Sequence, residues 1–473
     1  MEETTPDLSG FLRNFRAVAE AAEHAVGETD GVRFATVVAE HLGGPIGDMA
    51  IVGEEVPNHR YADWDTALGL LAAADPDGRE VGVSGGEMRF HHSLSDFVGA
   101  AFVRFGVGQV DYVSLPVGHD ERRRAIGFGV RLFRYKGEPV GVLQRQANRR
   151  FGQEYGSVEV ICADRDLATA LVEEARGLAT EHSVLRGQVV TFDETGYGDE
   201  SGGMSFLARP EVTADQVILP ADSLARIVQH VTGIAEHAAL LRRHGQHLKR
   251  GLLLYGPPGT GKTHTVRHVI HRSPGHTVIV LAGTALRFVS LAAAVARHLQ
   301  PAIVVLEDCD LVAEDRSFGA GPKPLLFEVL DAMDGLDADA DVTFLLTTNR
   351  VETLERALVE RPGRIDLAVE IPLPDPSGRR RLLELYAGDI AYSDAALADA
   401  ARRTEGVTAS FAKELMRRAV LEAAVAGEEP GDAHLTRALD TLMGERETTT
   451  RALLGHAGAA PLGFGGAQPG VHR

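Results

Sequence analysis

The chain has almost no cysteine: Cys162 and Cys309 are its two thiols in 473 residues. Thiols so far apart in sequence suggest neither a disulfide framework nor a thiolate metal site, so both are expected as buried apolar residues in a reducing compartment. Aromatic residues are scarce too, at 6% with a single tryptophan. Long apolar runs are missing: 44% of the residues are hydrophobic, yet no stretch of about 18 uninterrupted apolar residues offers a membrane span. The start, Met1-Glu2-Glu3, is acidic where a secretory signal would be basic and then apolar. A cytoplasmic location is therefore expected. Basic residues are in deficit, 48 against 67 acids, and the formal net charge of -19 opposes bulk attraction to nucleic acid or anionic lipid.

What the chain does have is enough length for roughly two to four domains. Leu8, Phe11, Leu12, Phe15 and Val18, then Phe34, Val37, Val38 and Leu42, recur at helical spacing, which predicts a helical N-terminal region over residues 1–92. Over 93–195 the texture becomes strand-like, with candidate strands at 110–117, 125–135, 140–146 and 158–162. A turn falls at Lys136-Gly137-Glu138-Pro139, an amphipathic helix covers 166–182, and a closing strand covers 187–192, so this part is expected to be an α+β domain. Residues 196–209 begin rich in Gly, Ser and acid and are expected to be a linker. The tail, 444–473, lacks periodicity and is expected to be disordered. No internal repeat is visible.

The most informative stretch is Gly256-Pro257-Pro258-Gly259-Thr260-Gly261-Lys262-Thr263. An apolar strand precedes it at 251–255 and a helix is expected from Thr263 to His271. The glycines therefore fall at a strand-to-helix turn, where backbone N–H groups and the helix dipole can cradle phosphate oxygens. His264 follows directly and joins the candidate nucleotide contacts. Lys262 would reach the β- and γ-phosphates of ATP, and the Thr263 hydroxyl would ligate Mg²⁺. About 45 residues beyond Lys262, a second apolar strand, 303–306, ends in Glu307-Asp308. One carboxylate, Glu307, can organise Mg²⁺ while Asp308 orients the attacking water. A third strand, 342–348, ends in Asn349, an amide able to help place that water. Arg361-Pro362-Gly363-Arg364 offers two guanidinium groups suited to stabilising phosphoryl charge.

At these residues the chain resembles the AAA ATPases, the ring-forming branch of the AAA+ superfamily, over about 210–443. Gly256 to Thr263 looks like Walker A, Leu306 to Asp310 like the Walker B region, Asn349 like sensor 1, and Arg361 with Arg364 like the paired arginine fingers. Leu325-Leu326 through Asp334-Gly335-Leu336 resembles the family's helix and intersubunit signalling turn, and residues 404–409 resemble the sensor 2 entry of the lid. The resemblance implies an α/β fold: an AAA+ P-loop parallel sheet sandwiched by helices over 210–378, with a small helical lid over 379–443. It also implies a homo-oligomeric ring, a hexamer, in which the arginine pair serves a neighbouring subunit's nucleotide. The expected activity is ATP hydrolysis coupled to remodelling of an unknown protein client bound by residues 1–195.

Two departures stand out. The acid order, Glu307 then Asp308, reverses the family's usual Asp-Glu and is similar to the mitochondrial Rieske-protein translocase branch. Between Gly283 and Pro301 the aromatic-apolar-Gly tripeptide of a threading pore is absent, with Phe288-Val289 as its nearest substitute, and that pair suits core packing as well as pore lining. His264, His268 and His271 share a helical face but lack a completing carboxylate or thiol, so a packed or solvated face is expected. Arg122 to Arg124 and the arginines of 145–150 read as solvated charge. Two other readings stay open: a nucleic-acid-acting ATPase, disfavoured by charge and by the lack of a binding motif, and a slowly hydrolysing nucleotide-switched scaffold.

Overall fold

The computed structural model describes residues 33–99, 105–192, 203–310, 325–350 and 364–453. The N-terminal part is α+β. Helices α1 (Phe34–Leu42), α2 (Tyr61–Ala73) and α3 (Arg165–Glu181) pack on strands β1 (Ala50–Val56), β2 (Arg79–Val83), β3 (Val107–Gly108), β4 (Asp111–Pro116), β5 (Arg122–Tyr135), β6 (Glu138–Arg145) and β7 (Gly156–Cys162). Their antiparallel sheet runs β1-β7-β6-β5-β2-β3, with β4 also on β5. The turn between β5 and β6 is the predicted one. Lys136 and Gly137 both take positive φ, 53° and 89°, the geometry whose twist matches a hairpin.

This corrects the expectation of a helical region over residues 1–92. Among its described residues, β1 and β2 are strands of the same sheet as β5 to β7, so 34–183 forms one domain. The apolar spacing of α1 and α2 had masked the short strands between helices. The second correction concerns the expected closing strand: β8 (Val189–Phe192) leaves the N-terminal sheet and pairs in parallel with a strand of the second sheet, β11 (Thr277–Ala282), while β9 (Met204–Leu207), inside the expected linker, pairs with β8. A four-residue apolar strand satisfies either sheet by composition.

Seven strands make the second sheet: β8, β9, β10 (Arg250–Tyr255), β11 (Thr277–Ala282), β12 (Ala302–Glu307), β13 (Val342–Thr348) and β14 (Leu367–Glu370), in the order β14-β10-β13-β12-β11-β8-β9. All neighbours are parallel except β8 and β9. Parallel strands buried on both faces explain the near-continuous apolar runs of β10, β12 and β13. Helix α4 (Lys262–His271) belongs to the core on one face, and α5 (Val289–His298) with α6 (Leu325–Asp334) to the other. Helices α7 (Pro376–Ala387), α8 (Asp394–Arg403), α9 (Ala409–Ala426) and α10 (Asp432–Leu453) form the separately cored lid. Asp375, Ser393 and Thr408 cap the first three through their side chains. The tail expectation is corrected in part, since α10 runs to Leu453; residues 454–473, like 1–32, lie outside the described residues.

A buried ion pair pins the base of this sheet. Arg250, 1% exposed, donates to Asp341 at 2.7 Å and to the Leu248 carbonyl at 2.8 Å, and also reaches the Val231 carbonyl. Arg250→Met should cost about 3–5 kcal/mol, because Asp341 is left buried and uncompensated. Denaturant titration followed by a probe in the nucleotide domain reads this, and Arg250→Met with Asp341→Leu should recover part of it. At the junction of the two domains, the fully buried Asp63 accepts from Ser183 and the Val184 N–H, both at 2.8 Å, and from Arg60 at 2.7 Å.

Candidate functional site

The phosphate loop follows β10. Gly256 takes φ 148°, and a Cβ there would lie 2.2 Å from the Ile371 carbonyl oxygen, so only glycine fits this close passage. Thr260 braces the turn by donating to the Pro257 carbonyl at 2.9 Å. The lid touches the loop directly: the Ser410 N–H donates to the Gly259 carbonyl at 3.1 Å. Helix α4 starts at Lys262 with Gly261 at φ 109° as its cap. Its N-terminal N–H groups and positive dipole end mark an anion site.

Lys262 is 5% exposed, and its ammonium donates to the carbonyls of Gly256 (2.8 Å) and Pro257 (2.9 Å) and to Asn349 Oδ1 (2.8 Å). Burial holds its pKa below the usual lysine value, against the opposing pull of Asp308 and Asp310. The pKa of Glu307, at the end of β12, is raised by burial and by the neighbouring Asp308 charge, against the lowering pull of Arg267 and the Thr263 hydroxyl. Glu307 with Thr263 fits a hard divalent cation, which would relieve the crowding of negative charge. Among the described residues no group of three or more His, Cys, Asp or Glu converges. A metal on Thr263 and Glu307 would therefore draw the rest of its shell from phosphate and water.

Asp308 has φ 51°, a left-handed conformation that disfavours most side chains, and its N–H is fixed by Thr347 Oγ1 at 2.9 Å. The structure thus brings together Gly256 to Thr263, Glu307, Asp308 and Asn349. His264 points elsewhere: its ring meets the Gln216 carbonyl at 3.1 Å, and His268 meets the Val212 carbonyl at 2.7 Å. Through His264 and His268 this face packs against the segment entering the domain. Arg361 lies outside the described residues. Arg364 is 7% exposed and bonded to Asp334 at the end of α6, Nη2 to Oδ2 at 2.6 Å. Phe288 packs on Phe192, ring centres 5.6 Å apart, and Val289 is fully buried, so this pair belongs to the core.

Two positioning residues escaped the sequence reading. Asp310 grips Asn349, and its place in the Leu306 to Asp310 motif was the available signal. Arg209 donates to four carbonyls, Ile270 (2.7 Å), Gly187 (2.9 Å), His276 (3.0 Å) and Ser273 (3.1 Å), tying the end of α4 to the approaches of β8 and β11. A lone arginine after a short strand carries no sequence signal for such a role. A cavity of about 500 Å³ opens beside Thr263 and Glu307, also walled by Glu211, Arg267 and Ile270.

Comparison with known proteins agrees with this geometry. Residues 252–373 match the ATPase family associated with various cellular activities (AAA). A proteasome-activating nucleotidase of Methanoculleus marisnigri is 32% identical over 226 residues, 45% of this chain and 55% of that protein. The ATP-dependent zinc metalloprotease FtsH of Cutibacterium acnes is 33% identical, covering 48% and 34% respectively. A 26S proteasome regulatory subunit 6B homolog of Dictyostelium discoideum is 35% identical, covering 33% and 42%. The chain spans about half or less of the length of these relatives. Phosphate loop, acid pair, sheet order and sequence agree, and residues 252–373 form an AAA ATPase domain.

Proposed function

We propose that the chain is an ATP-hydrolysing motor, assembled as a homo-oligomeric ring, a hexamer, that remodels or disassembles protein clients held by its N-terminal α+β domain. The observation that carries this reading is the convergence of Lys262, Thr263, Glu307, Asp308 and Asn349 at the end of one parallel sheet. Lys262 would hold the β- and γ-phosphates, and Thr263 and Glu307 would hold Mg²⁺. Bound there, the ion would neutralise charge on the phosphate oxygens. Asp308 and Asn349 orient the attacking water. Proteasome-activating and protease relatives favour protein clients over nucleic acid, as does the net charge of -19. No helix among the described residues is long and apolar enough to cross a membrane, which is compatible with the cytoplasmic location expected from the sequence.

Two substitutions test the division of labour between the acids. Glu307→Gln should weaken Mg²⁺-dependent ATP binding, and Asp308→Asn should keep binding while lowering turnover on the order of 100-fold or more. Equilibrium binding at graded Mg²⁺, alongside phosphate release, reads both. The reverse pattern would exchange the two roles.

A further inference from the structure

Asn349 lies between two groups of one-sided hydrogen-bonding capacity. The Asp310 carboxylate only accepts and the Lys262 ammonium only donates. Asn349 Nδ2 donates to Asp310 Oδ2 at 3.2 Å, and Asn349 Oδ1 accepts from Lys262 at 2.8 Å. A flipped amide would set its carbonyl against a carboxylate and its NH₂ against an ammonium, so the chemistry admits one orientation. Asp310 is itself immobilised. It is 6% exposed, and its Oδ1 accepts from the Asn349 backbone N–H at 3.0 Å and from the Thr348 hydroxyl at 3.1 Å.

We propose that Asp310 is a positioning residue that sets the polarity of Asn349: by holding Nδ2, it makes the acceptor Oδ1 the atom presented to the phosphate-loop side. This rests on the ATPase reading above. When Lys262 turns onto phosphate, Oδ1 gives up its donor and accepts a hydrogen from the attacking water. A water donating to Oδ1 and to Asp308 has its lone pair free to face the γ-phosphorus. An Nδ2 presented there instead would donate to the phosphate oxygens, strengthening ground-state binding without placing water.

The test is Asp310→Asn in the full-length chain. A neutral amide at 310 can donate as well as accept, so the polarity of Asn349 is released at nearly constant volume. Turnover of ATP should fall roughly 10-fold or more, as with other lost positioning contacts, while the ATP dissociation constant stays level or tightens. Unchanged turnover overturns the proposal. So does weakened ATP binding in step with lost turnover, because a merely structural role at the β12 and β13 ends would loosen the whole loop. If the Asn variant does not fold, Asp310→Ser removes the same grip and is read against the same two outcomes. A wild-type chain that hydrolyses no ATP would sink the ATPase reading and this proposal together, whereas an active wild type with an equally active Asp310→Asn sinks this proposal alone.

Discussion

Lys262→Ala is expected to raise the ATP dissociation constant roughly 100-fold or more, since each charge-assisted hydrogen bond contributes about 1.5–3 kcal/mol and the ammonium serves two phosphates. The loop should survive the change. Its turn is braced by Thr260 on Pro257, its glycine is wedged against Ile371, and its helix is packed through Val266, Val269 and Ile270. Lost binding would then report the ammonium and not a collapsed site. Isothermal titration with ATP, paired with a melting curve, separates the two. Unchanged affinity in a folded variant would refute the assignment of the phosphate site.

Arg361→Ala is expected to cut turnover on the order of 10³-fold while leaving monomer folding and ATP affinity nearly intact, the size of effect produced by removing an inserted arginine. Arg364→Ala should do the same through the nucleotide, although it also breaks the bond to Asp334. Asp334→Asn is the control, because it weakens that bond and keeps the guanidinium. If Arg364 acts on nucleotide, Asp334→Asn retains most of the turnover. If Arg364 serves only to fasten the end of α6, Asp334→Asn and Arg364→Ala lose activity equally. Steady-state phosphate release over a range of protein concentrations measures all three.

The phosphate loop and the acid pair were legible in the sequence because their chemistry is local: glycines at a strand-to-helix turn, and acids at the end of an apolar strand. The hairpin at Lys136-Gly137 was legible for the same reason. Contacts decided far along the chain were not. Whether 189–192 closes the N-terminal sheet or extends the nucleotide sheet depends on pairing with Val278 to Val280, and composition does not encode that choice. The strand β1 hid between helices because its alternation is short and its partner, β7, lies about a hundred residues away. Arg209 and Asp310 act through carbonyls and an amide brought together only by the fold, and the bond of Arg364 to Asp334 is equally non-local.

The central claim, that the working site is an ATPase centre shared between subunits, is tested most directly by mixing two inactive chains. One carries Arg361→Ala and Arg364→Ala with an intact phosphate loop. The other carries Lys262→Ala with an intact arginine pair. Some interfaces in the mixture then combine a whole nucleotide site with a whole arginine pair. The account predicts that ATPase activity, negligible in each chain alone, partly returns on mixing and peaks at intermediate ratios. No recovery at any ratio, together with full activity of the arginine double variant as a monodisperse monomer, would contradict it.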